Sequence, residues 1–125
     1  MDIQRIRTEV AQAKVTFPNV EAYPTSNGDI SVKAAFQTSA GNAYIVQVDF
    51  ANYPTRPPQV QVLKPALRSN TVHRYTNGLI CYMLPAMWNP GRHNLTFVLW
   101  RIAKWLNKYE VWCVRGTWPG AGWAH

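Results

Sequence analysis

At 125 residues, with 47% apolar and only 15% charged side chains, the chain has room for one domain around one core. No apolar run approaches the eighteen or so residues that span a bilayer, and the opening MDIQRIRTEVAQAKV carries charges where a signal peptide has its apolar stretch. A net charge of +7 with pI near 9.8 favours acidic partners. Its basic residues are dispersed and no recognition motif accompanies them, so a nucleic-acid-binding protein stays a minor alternative. A cytoplasmic protein is the expectation, and two cysteines are too few for a disulfide framework.

Ile3, Ile6, Val10 and Ala13 recur at spacings of three and four, which predicts an opening helix with Asp2 as its N-cap. Punctuation by FPN and YPTSNGD then changes the period. NVEAY at 19–23 reads as a strand. In ISVKAAFQT the residues Ile30, Val32, Ala34 and Phe36 alternate with polar ones; after the SAGN turn, Tyr44, Val46, Val48 and Phe50 do the same. QVQVL at 59–63 completes an antiparallel meander with one buried face. Residues 64–93 show no period, and a loop that long in so small a domain is usually functional. Order returns at Asn94, a predicted N-cap, followed by the stripe Leu95, Val98, Leu99, Ile102, Leu106 and Tyr109 over Arg101, Lys104 and Lys108. The tail CVRGTWPGAGWAH is rich in glycine, proline and aromatics. The fold class is α+β, with helices on one side of an antiparallel sheet, as a single domain over residues 1–125.

Within the loop lies HRYTNGLICYMLPAMWNP, residues 73–90. By itself Cys81 is core filler, half a bridge with Cys113, a metal ligand or a nucleophile, and free cysteines are mostly buried. His73, Cys81, His93, Cys113 and His125 have poor metal-ligand spacing, so no metal is expected. Just upstream, YPTRPP places three prolines in five residues, a rigid extended crossover in which each proline fixes its φ and restrains its predecessor.

In this order the motifs resemble the ubiquitin-conjugating enzyme (UBC-fold) family. Tyr53–Pro58 matches its Tyr-Pro-x-x-Pro-Pro, Gly78–Cys81 its Gly-x-Ile-Cys, and Trp88–Pro90 its Trp-x-Pro, seven residues after the cysteine where eight is usual. The resemblance covers essentially the whole chain, without the family's last two helices. The short length and the Trp-Pro-Gly…His ending look like the conjugating proteins of bacterial antiphage systems, the cyclic-oligonucleotide (CBASS) operons among them. The resemblance implies an enzyme without cofactor that carries a modifier as a thioester on Cys81 and passes it to a target lysine. Its modifier would be a ubiquitin-like protein or the C-terminus of a cGAS-like nucleotidyltransferase (CD-NTase), delivered with or without an activating-enzyme-like protein. A catalytically inactive binding module of the same fold is the alternative.

The chemistry asks for a thiolate that is also a good leaving group, in a partly exposed site, with Arg74 or Arg92 as cationic neighbours. In the family's His-Pro-Asn, the histidine stands ten residues before the cysteine; here His73 stands eight before it. Aligned from His73, proline and asparagine become Arg74 and Tyr75; aligned from Cys81, His73 falls on the asparagine, which stabilises the oxyanion. His73 is therefore a second catalytic candidate, with Asn77 and Asn70 as further possibilities. Trp88 is expected to wall the active-site groove, Cys113 to pack, and Arg5 and Arg7 to lie where the family binds its activating enzyme. No carboxylate near Cys81 offers a general base, and desolvation of the incoming lysine would serve instead.

Overall fold

The computed structural model describes residues 1–120. Helix α1, Ile3–Thr16, starts where Asp2 Oδ1 accepts from the Arg5 amide at 3.0 Å and buries Ile6, Val10 and Ala13. Four strands follow: β1 (Val20–Pro24), β2 (Ile30–Gln37), β3 (Ala43–Asp49) and β4 (Gln59–Lys64). They pair antiparallel in the order β1-β2-β3-β4. Val32 stands opposite Val48, Ala34 opposite Val46 and Phe36 opposite Tyr44, so the alternating apolar set falls on one face. Helix α2, Leu95–Arg115, is capped by Asn94, whose Oδ1 accepts from the Phe97 amide at 2.9 Å. It ends at Gly116, whose φ of +78° is the left-handed cap that glycine adopts without strain. All six expected stripe residues are buried, together with Trp105 and Trp112. Between β4 and α2 the regular structure is one 3₁₀ turn, Pro85–Met87, and an antiparallel bridge between Arg74 and Ile80.

One polar node ties the two helices together. Glu9, buried on α1, accepts from the Tyr53 hydroxyl, from the Leu95 amide at 2.7 Å and from Arg5 Nε. Its carboxylate thus caps the positive end of α2, and the tyrosine of YPTRPP is held against both helices. Residues 121–125, including His125, lie outside the described residues.

Candidate active site around Cys81

The segment carrying Cys81 is braced by the proline crossover. Prolines 54 and 58 donate nothing, but their carbonyls accept: Trp88 Nε1 donates to Pro54 at 2.7 Å, and the Tyr82 hydroxyl donates to Pro58. The Ile80 amide bonds to the Val60 carbonyl at 2.9 Å, so the segment is laced to the start of β4. On its other side Arg101 Nε, from α2, donates to the Tyr82 carbonyl at 3.1 Å. Residues 73–81 fold as a small hairpin. The Cys81 amide donates to the His73 carbonyl and the Tyr75 amide to Leu79, with Gly78 at φ +88° in the turn.

Cys81 is 2% exposed, not partly exposed as the sequence suggested. Its thiol donates to the Met83 carbonyl at 3.3 Å, and the Tyr75 hydroxyl donates to Sγ at 3.4 Å. Burial pushes the thiol up from its ordinary range, against the downward pull of the Tyr75 hydroxyl and of Arg101. The cation acting on the sulfur is therefore Arg101, in place of the expected Arg74 or Arg92. Cys81 and Cys113 do not form a disulfide; Cys113, half-buried, packs against the core as expected.

The other sequence candidates fall apart by role. His73 has φ +54°, a left-handed conformation sparse for any residue but glycine. Its carbonyl holds that shape by accepting from both Cys81 and Trp105 Nε1, while its ring lies 4.8 Å from that of Trp118. Its visible work is to aim the hairpin. Asn77 is exposed, with Oδ1 turned back onto the Leu79 amide at 3.1 Å. Trp88 is buried and its indole N–H is committed to Pro54, which removes it as an oxyanion donor. Arg5, besides Glu9, donates to the Pro90 and His93 carbonyls, at 2.7 and 2.9 Å, and lies over the Tyr53 ring. It clamps the loop to α1, while Arg7 is exposed. Beside the site, a groove of about 310 Å³ runs between Pro57, Pro58, Tyr75, Asn77, Tyr82 and Met83.

Sequence reasoning did not single out Tyr75, Met83, Trp105 or Arg101 as site residues. A signal existed for two of them. Tyr75 falls on the family's asparagine when aligned from His73, and Arg101, three residues after Val98 and four before Trp105, sits at the edge of the buried stripe.

The sequence matches the family model described as Type II CBASS E2 protein over residues 9–125. The chain belongs to that family. Among curated proteins none matches it. Solved structures that share its fold include two UEV domains. A Vps23 UEV domain in complex with ubiquitin has a TM-score of 0.58 at 19% identity, over 84% of this chain and 83% of that one. The yeast Vps23 UEV domain in complex with a Vps27 PSDP peptide has a TM-score of 0.60 at 16% identity, over 98% and 86%. This CBASS E2-like protein thus has the UBC-like α+β fold that its motifs implied, and its family assigns it a conjugation-related role. Among the described residues no helix is long and apolar enough to cross a membrane.

Proposed function

We propose that this CBASS E2-like protein carries a modifier as a thioester on Cys81 and transfers it to an amine on a target. The observation that supports this most is the placement of the sulfur: a cysteine at the end of Gly-Leu-Ile-Cys, pinned between β4, the proline crossover and α2, with a hydroxyl, a carbonyl and a guanidinium around it. A cysteine serving only as core filler needs no such polar surroundings. The modifier in this reading is the C-terminus of a nucleotidyltransferase or a ubiquitin-like protein, and the setting is bacterial antiviral defence. The groove of about 310 Å³ beside Tyr75 and Pro58 is where this reading seats the modifier's chain end.

Charging requires the buried sulfur to open. As thiolate, Sγ attacks the activated carboxyl carbon, an S–C bond forms, and the activating group leaves with the electron pair. In transfer, the target amine attacks the thioester carbon, the C–S bond breaks, and the thiolate returns to its place near Arg101. The closed state guards the sulfur from adventitious oxidation between cycles, since the protonated, buried thiol is the unreactive form.

The second reading is an inactive UBC-fold binding module, favoured by the likeness to UEV domains and by the 2% exposure of Cys81. Incubation with an activating partner, ATP and candidate modifiers, resolved on a non-reducing gel, separates the two. The carrier gives a reductant-sensitive adduct that Cys81→Ala abolishes; a binding module gives modifier binding without any adduct.

A further inference from the structure

We propose that Tyr75 is a catalytic residue of the Cys81 site, its hydroxyl supplying the hydrogen bond that the acyl oxygen receives during transfer. This rests on the thioester reading of Cys81 and deepens it.

Three observations carry the inference. The Tyr75 hydroxyl donates to Sγ at 3.4 Å, so a donor is already aimed at the reacting atom. When sulfur bonds to a carbonyl carbon, the acyl oxygen sits one bond further on, within the sweep of a hydroxyl held at that range. The backbone of Tyr75 is fixed on both sides by the hairpin, through the Leu79 carbonyl at 2.8 Å and the Gly78 amide at 2.9 Å. That is the preorganisation an oxyanion donor requires. Of the sequence candidates, the Trp88 indole N–H is committed to Pro54, and exposed Asn77 turns its side chain away through Oδ1, which accepts from the Leu79 amide. Burial and the bond to Cys81 push the Tyr75 phenol up to about 12, which keeps it a neutral donor at physiological pH. Tyr75 also occupies the position that alignment from His73 gives to the family's asparagine.

The step balances without a further reagent. The amine nitrogen bonds to the thioester carbon, and the C=O π pair moves to oxygen, where the Tyr75 O–H receives it. The pair then re-forms C=O as the C–S bond breaks, sulfur leaves as thiolate, and the amine proton goes to water. Tyr75 keeps its proton throughout and donates in turn to the acyl oxygen and to the departing sulfur. Among the described residues, that sulfur is met by the Tyr75 hydroxyl from the hairpin, the Met83 backbone and the charge of Arg101 from α2.

The test compares the full-length chain with its Tyr75→Phe variant, both in a Cys113→Ser background, in two assays. Iodoacetamide alkylation of Cys81 followed against pH by peptide mass spectrometry needs no modifier. Loss of the hydroxyl should move the midpoint to higher pH, because the hydrogen bond to sulfur favours the thiolate. Second, Cys81 is charged by exchange with a glycine-terminated peptide mercaptoethanesulfonate thioester and discharged to free lysine in a single turnover. Tyr75→Phe should slow discharge by about tenfold or more, the scale of one lost oxyanion donor. An unmoved midpoint with discharge within twofold overturns the proposal, and a moved midpoint with unchanged discharge overturns its oxyanion part. Failure of the parent chain to charge counts against the thioester reading alone, while the alkylation profile still decides whether Tyr75 governs the sulfur.

Discussion

Replacing Glu9 should destabilise the protein in two clearly separated steps. Its carboxylate is an acceptor for three donors: the buried Tyr53 hydroxyl, the Leu95 amide at the start of α2, and Arg5 Nε. Glu9→Ala leaves the first two without an acceptor in the interior, at about 1–3 kcal/mol each. Arg5 contributes less, because its side chain is 26% exposed and keeps the Pro90 and His93 carbonyls. The sum is about 3–5 kcal/mol, comparable with breaking a buried ion pair and a large part of the roughly 5–15 kcal/mol that holds a domain folded. Glu9→Gln retains an oxygen for Tyr53 and Leu95 and loses the charge, so about 1–2 kcal/mol is expected. Urea unfolding followed by tryptophan fluorescence and circular dichroism measures both. A Glu9→Ala cost under about 1 kcal/mol, well below one unsatisfied buried donor, would refute the node as the link between α1, the proline crossover and α2. So would equal costs for the two variants.

Other outcomes follow from the same geometry. Tyr75 ionises near 12, and Tyr44, Tyr53 and Tyr82 are also pushed up by burial, from an ordinary value of 10.0. Below pH 10 both folded and unfolded chains keep these protons, and above it the unfolded chain loses them first, so stability should fall as pH rises from 10 through 12. Absorbance at alkaline pH should show these tyrosines ionising late and together with unfolding; four ordinary titrations near 10 would contradict this. Arg5→Ala should cost about 2 kcal/mol, a buried-pair loss discounted for partial exposure, whereas Arg7→Ala should leave the unfolding midpoint in place. Equal effects would mean that the clamp is not formed. Trp88→Phe, which removes the bond to Pro54, should cost about 1 kcal/mol in the same unfolding assay; no change would free the indole N–H for another role.

Much of the fold was legible because its signals are local. The period of two in β2 and β3 and the period near four in α1 and α2 each name a buried face, and Asp2 and Asn94 mark the caps by residue type alone. The crossover was legible as rigid from its prolines, but its use of proline carbonyls to hold Tyr82 and Trp88 was not. Those bonds join residues far apart in sequence. For the same reason Cys81 could be named but not its exposure, which depends on what α2 and the hairpin bring over it. Helix periodicity cannot see the two loop carbonyls, more than eighty residues away, that Arg5 reaches. The sequence offers His73 as a catalytic candidate, but its constraint lies in φ and in its carbonyl, and neither is written in a side chain.

The most direct measurement is the mass of the peptide containing Cys81 after the protein has met a candidate activating partner, ATP and a candidate modifier. A carrier enzyme gives a thiol-cleavable mass increment equal to the modifier less one water on that peptide, and an oxyester that survives reductant in Cys81→Ser. An increment that stays in Cys81→Ala, or that maps to Cys113, contradicts the assignment.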